Sequence, residues 1–451
     1  PLYYSNSNGV LYFASQIKSL LSIDNLNKKK SEAGIVSFYL LGHLQDPLTL
    51  YKDIKSLEKG TYMVIDELGN INKYEYANIK NEIINSEGLK FKNKDDEITS
   101  LNELIDETVS YHEIADVPVD YCLSSGIDSS TILASIKNKK NSKALTIDLD
   151  DDNFISNEKF LAKKTALINQ IPHLTAKIDR KEINELINLF FEKMDSPTND
   201  GLNNFLISHI AKKNNTKVMV SGVGGDEFFF GYPSFNRIPL INNIVNLIPK
   251  MKISNYFFNS FLVNFFNQKK LNPKYPLIYN YGKDLENAFL LQRSLFMPNE
   301  IKEIINQNEF KLGWDELNIL ENIYLDTKDI ESKKLSIMYL EIKYYLCSKL
   351  LRDIDWTSMS HSIEMRTPFV DWFFFKKLLP ILKSNIDIDK KCLLDTVKNK
   401  IPKELYKRKK TGFGIPYKDY LNKVIGVKTK YPNALKDWSI FSYKNYLKNN
   451  K

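Results

Sequence analysis

Between residues 97 and 232 the sequence alternates short runs rich in β-branched residues with amphipathic stretches, and this alternation restricts the fold more than any other feature. "VPVDYCL", "KALTIDL", "PHLTAKID" and "KVMVSG" have the length and composition of buried strands. "NEKFLAKKTALI" and "INELINLFFEKM" between them have helical spacing. Strands that alternate with helices predict a parallel sheet covered on both faces, an α/β core. From residue 233 to 451 the pattern is mostly helical. Residues 1–76 read differently: "PLYYSNSNGVLYFAS" predicts a hairpin about Asn8-Gly9, and "GTYMVIDELGNINKYEY" a second about Leu68-Gly69-Asn70. "SEAGIVSFYLLGHL" between them predicts a helix capped by Ser31, and a polar linker is expected over residues 77–96.

In an open parallel sheet, ligands bind outside the carboxyl ends of the strands, and the two most unusual turns fall there. "SSGIDSS" follows the first predicted strand and feeds a helix expected to begin near Ser129; "SGVGGDE" follows the fourth. Hydroxyls, backbone N–H groups and the helix dipole then converge on one point suited to phosphate. No Gly-Lys-Ser/Thr follows the first turn, so it is not a Walker A loop, and Glu227 stands where a dinucleotide fingerprint needs its third glycine. Each turn also carries an acid, Asp128 and Asp226. Two carboxylates beside a polyphosphate repel it unless a hard cation lies between them, which fits Mg²⁺.

Composition sets the remaining bounds. A chain of 451 residues with 43% hydrophobic and 26% charged residues is a folded, soluble protein of two or three domains. The net charge of +8 is spread over scattered lysines, which argues a solvated surface and gives no case for nucleic acid. Cys122, Cys347 and Cys392 lie far apart without CxxC spacing, as suits a reducing cytosol and no zinc site. His43, His112, His173, His209 and His361 lack metal-ligand spacing, so His361 is expected near the site through its motif and not as a ligand. The uncharged run at 253–268 is too short to span a bilayer and is expected to be a core or interface helix.

"LSSGIDSS" resembles the PP-loop of ATP-pyrophosphatases. With it, "SGVGGDEFFFGY", "SMSHSIEMRTPFVDW" and "KRKKTGFGIP" resemble, in the same order, the signature segments of the glutamine-dependent asparagine synthetase family. The opening 76 residues look like the closing part of that family's α+β glutaminase (Ntn-type) domain. Similarity is weakest over residues 238–330. The resemblance implies a HUP-like α/β synthetase domain over residues 97–451, in which a carboxylate is adenylated by ATP, pyrophosphate leaves, and glutamine-derived ammonia forms the amide. Ser124, Ser125, Gly126, Ser129 and Ser130 would cradle the pyrophosphate, and Asp128 with Asp226 would hold Mg²⁺. Leu123, Ile147, Ser221, Gly222, Val223 and Gly224 would complete the nucleotide site. Lys410 matches the family's signature lysine against the phosphates, assisted by Arg408. Asp353 and Asp355 are candidate substrate or general-base acids. Glu364, with Arg366, is assigned either to the site or to bracing the packing. A cytoplasmic location follows, and a homodimer is compatible with it.

Three positions depart from the family pattern. Ser125 stands where the PP-loop commonly carries glycine, a small change the site is expected to tolerate. Pro1 aligns deep inside the glutaminase domain, so the N-terminal cysteine nucleophile is absent and the chain is expected to be a fragment using free ammonia. Val223 stands where asparagine synthetases carry an acid, and a valine moves no protons. L-aspartate is the first acceptor expected, with a sugar acid or peptide carboxylate as the alternative and residues 233–330 as a source of the acceptor pocket. A tRNA-modifying PP-loop enzyme and a non-catalytic scaffold are the rival readings.

Overall fold

The computed structural model describes residues 1–149, 156–247, 274, 277–408, 417–426 and 428–450. The uncharged run at 253–268 lies outside them. Among the described residues no helix is long and apolar enough to cross a membrane.

Ten strands are present among the described residues: β1 (Tyr3–Ser7), β2 (Val10–Ala14), β3 (Lys55–Ser56), β4 (Thr61–Ile65), β5 (Ile71–Glu75), β6 (Val119–Cys122), β7 (Ala144–Leu149), β8 (His173–Ile178), β9 (Val218–Val220) and β10 (Glu364–Arg366). Both predicted hairpins form, β1 with β2 and β4 with β5. Ser31 caps the helix Glu32–Leu41 as expected, its side chain accepting from the Gly34 N–H at 3.0 Å. The stretch 77–96 carries a helix at Ile79–Asn85 and the start of another, Lys94–His112.

The four predicted strands form β6 to β9 in an all-parallel sheet of order β10-β9-β6-β7-β8. Its fifth strand, β10, lies within the mostly helical region beyond residue 232 and carries no strand pattern of its own. β10 has only three residues, and its identity as a strand comes from pairing with β9, Glu364 opposite Val218 and Arg366 opposite Val220. The chain winds outward from β6 through β7 to β8, then returns to β9 on the other side, so the direction reverses between β6 and β9. That switch point places a crevice at their carboxyl ends. Helix Ile127–Ala134, which leaves β6, starts two residues earlier than expected and is capped by Gly126 with no side-chain hydrogen bond.

Residues 1–76 share one hydrophobic core with the helical region. Helix Glu32–Leu41 is buried nearly all round, and helix Gln307–Leu317 packs closely across it. Gly313 makes that approach possible, because a Cβ there would drive into the backbone carbonyl of Glu32 and meet Val36 Cγ2 at 2.7 Å. Asp195 ties the first helix, Ile17–Leu21, to the α/β core by accepting the N–H groups of Ile17 and Lys18 at 3.1 Å each, two of the donors a helix start leaves unpaired. Gly313→Ala therefore overpacks a backbone contact and should cost about 1–3 kcal/mol, read as a lower urea midpoint at unchanged slope.

Candidate active site

The crevice between the ends of β6 and β9 opens into a cavity of about 710 Å³, within the range of small-molecule sites. Residues 122–129 line it from the first loop, Ile147 from β7, and residues 221–224 with Asp226 from the second. All the predicted cradle and nucleotide residues among them are thus brought together, with Ser130 the exception. Ser130 is fully buried in the first turn of its helix, and its hydroxyl has no hydrogen-bond partner and does not reach the cavity. Ser124 and Ser129 face each other, their hydroxyl oxygens 3.3 Å apart.

Lys390 lies between the two acids, and its ammonium donates to both Asp128 and Asp226. Burial alone would lower its pKa, but the two carboxylates overcome that and raise it, so the ammonium stays charged. Close glycines make the arrangement fit: a Cβ at Gly225 would strike the Asp128 carboxylate, and one at Gly231 would strike that of Asp226 and meet Lys390 Cδ at 2.7 Å. Two carboxylates on facing loops are hard oxygen donors of the kind that share Mg²⁺ with phosphate, so the residues present fit that ion.

Ser125 holds φ at +52°, the left-handed region, where a side chain is costly. Arg408 donates to both its carbonyl and its hydroxyl, and reaches the Ser124 carbonyl at 3.5 Å. Glu227 also lines the cavity, and burial pushes its carboxyl up to about 7 although the Tyr232 hydroxyl, donating at 2.7 Å, opposes this.

The Asparagine synthase family model matches residues 100–438, and the Glutamine amidotransferase domain model matches residues 1–96. The chain belongs to the asparagine synthase family. The glutamine-hydrolysing asparagine synthetase 1 of Bacillus subtilis is 27% identical over 93% of this chain and 65% of its own length. A putative glutamine-hydrolysing asparagine synthetase of Mycobacterium tuberculosis is 24% identical over 93% of this chain and 64% of its own. The chain thus spans a little under two thirds of these relatives. The solved glutamine-dependent NAD⁺ synthetase of Acinetobacter baumannii matches 58% of this chain and 50% of that one, 14% identical with a TM-score of 0.24, a likeness too slight to bear on the fold.

Asp353, Asp355, His361, Glu364 and Arg366, also singled out in the sequence, do not line the cavity. Lys410 is outside the described residues. Glu364 begins β10, at the end of the sheet opposite the crevice, exposed and accepting from Arg366 Nε at 2.7 Å. Arg366 donates onward to the carbonyls of His112 at 2.9 Å and Ile114 at 2.8 Å, which makes this pair a brace for the sheet edge. Asp355 is half-exposed and faces Pro1, 3.7 Å away. Asp353 is buried, accepting from the Thr198 hydroxyl at 2.7 Å and Trp356 Nε1 at 3.2 Å. Burial and the neighbouring Asp200 push its carboxyl up to about 7. His361 packs on Phe205, ring centroids 4.4 Å apart, and does not line the cavity.

Sequence reasoning missed Lys390. Its only mark is a pair of lysines before an apolar turn, "KKCLL", a pattern common on surfaces. Removing it leaves two facing carboxylates. Lys390→Met should lower stability by up to about 3 kcal/mol without divalent ions, less than a fully buried pair would give because the cluster is partly open to solvent. Millimolar Mg²⁺ should raise the melting temperature of this variant more than that of the wild type. Equal shifts in both would show that the acids do not share a cation.

Proposed function

We propose that this chain carries out the ATP-dependent half of an amidotransferase reaction, making an amide from a carboxylate and ammonia through an acyl-adenylate. The observation that carries the reading is the convergence of the two loops on Asp128, Lys390 and Asp226 at the switch point of the parallel sheet, with Arg408 on the flank. The acceptor carboxylate would attack the α-phosphorus of ATP, and pyrophosphate would leave into the cradle of Ser124, Ser125, Gly126 and Ser129. Helix Ile127–Ala134 begins at this loop, so the positive end of its dipole would favour the same anion. Lys390 and Arg408 supply fixed positive charge where negative charge accumulates, and such preorganised charge does most to lower the barrier in reactions of this kind. Mg²⁺, when bound by Asp128 and Asp226, would neutralise phosphate charge. Lys410, by its motif, would join them.

Ammonia nitrogen would then bond to the acyl carbon as the C–O bond to AMP breaks, the excess proton passing to solvent. The match of residues 1–96 to the Glutamine amidotransferase domain supports glutamine as the source of that ammonia. The names of the relatives support L-aspartate as acceptor. Val223, which lines the cavity where the family motif carries an acid, favours a second reading in which another carboxylate, a sugar acid or peptide, is amidated. The free cysteines Cys122, Cys347 and Cys392 suit a reducing cytosol.

The test is pyrophosphate release with ATP, Mg²⁺ and ammonium across a panel of carboxylates, with Asp128→Ala as the blank. Acceptor-dependent release in the wild type, reduced by at least about 10²-fold in Asp128→Ala, is the expected result. ATP binding without release for any carboxylate would leave only a scaffold.

A further inference from the structure

Tyr232 and Tyr345 form one wall of the cavity, their rings edge to face with centroids 5.8 Å apart. Arg293 lies behind them, outside the cavity lining, its guanidinium carbon 4.5 Å from the Tyr232 ring centroid and 4.0 Å from that of Tyr345. The guanidinium pairs with Glu341, which is fully buried and also accepts from the Ser234 hydroxyl at 2.6 Å. Burial would weaken the arginine's charge, but Glu341 overcomes this and holds it protonated. Three segments meet at this cation: helix Leu285–Arg293 ends on it, helix Ser234–Leu247 begins at the serine, and the helical turn Glu341–Leu351 carries both Glu341 and Tyr345. Cation–π contacts of a desolvated guanidinium are strong enough to fix both rings.

Carboxyl groups stand among the polar residues that line the cavity, with Asn203 and Asn204. Glu227 and Asp200 line it with the tyrosines. Lys349 is already engaged, 3.5 Å from the Asp200 carboxylate and 5.2 Å from the Tyr345 ring centroid. Among the described residues, the cations that line the cavity are Lys390, Lys391 and Arg408, and Lys390 and Arg408 are held at the phosphate loops.

We infer that Arg293 is a positioning residue that locks Tyr232 and Tyr345 as the surface on which the non-reacting part of the acceptor lies, and that this surface takes a monocarboxylate bearing hydroxyl or ammonium groups on a C–H-rich frame. C–H faces pack on the parts of the two rings that line the cavity, and hydroxyl or ammonium donors match the carboxyl oxygens beside them. A second carboxylate would be carried toward Asp200, whose neighbouring cation Lys349 is already engaged, and would lie there without a partner. The inference rests on the acyl-adenylate reading proposed above and sharpens its acceptor.

The experiment is acceptor-dependent exchange of labelled pyrophosphate into ATP, which needs no ammonia. D-glucuronate and β-alanine would be compared with L-aspartate in the wild type, Arg293→Met, Arg293→Lys and Tyr345→Leu. At least one monocarboxylate should exceed aspartate by about tenfold, and Arg293→Met should raise the acceptor KM about tenfold with the KM for ATP within about twofold. Arg293→Lys, which keeps the cation, should recover part of the loss. Tyr345→Leu leaves the Arg293–Glu341 pair in place and should give the same split, which covers the case in which Arg293→Met fails to fold. Aspartate as the best acceptor, or variants that shift both KM values alike, would overturn the inference while the adenylation reading stands. No exchange with any carboxylate would overturn both.

Discussion

One ammonium between two carboxylates organises the α/β half of this molecule. Asp128 follows the first strand of the parallel sheet, Asp226 the fourth, and Lys390 comes from a segment near the end of the helical region. Without the lysine, the acids would repel across a gap narrowed by Gly225 and Gly231, and the two loops would have reason to separate. With it, the loops are drawn together before any nucleotide arrives. The same three groups are chemically suited to the charge of a pyrophosphate and its cation.

The amide-forming reading places a second demand on the same cavity, where the acceptor must be held still while charge moves on the phosphates. The fold meets it with a second buried cation. Arg293 is enclosed by Glu341 and two tyrosine rings, and its segment contributes no described residue to the cavity itself. The helical region from 233 to 330, expected from sequence to supply the acceptor pocket, thus acts among its described residues from behind the wall. Its side chains set where Tyr232 and Tyr345 stand, while the wall is built by the loop after β9 and by the turn that carries Tyr345.

How much of this could be read in the sequence follows from the range of the interactions concerned. β6 to β9 and both phosphate-loop turns were legible because strand composition, Gly-rich turns and neighbouring acids are local signals. β10 was not, because three residues carry no period and become a strand only through pairing with β9. Glu364 and Arg366 were marked by motif yet brace the sheet edge, since a motif records that residues recur together and not which face they occupy. Lys390 carried no mark beyond a common lysine pair, and Arg293 carried none. Each is one lysine or arginine among 63, and its role is fixed by partners far away in sequence. Ser130 failed for a simpler reason: one helical step past Ser129 turns the side chain from the cavity into the core.

Ser125 shows how a departure from a motif can be absorbed. Glycine is common at this place in PP-loops, and the left-handed φ of +52° explains why, since a Cβ there costs about 1 kcal/mol. A serine adds that strain but also adds an oxygen, and Arg408 takes hold of it together with the serine's own carbonyl. The loop is therefore held in its strained form by a contact a glycine could make only in part. The arginine, in turn, is fixed beside the place where a leaving group would gather charge. A substitution that looks tolerated in sequence is, in the structure, a second tie between the first phosphate loop and the segment that leads to Lys410.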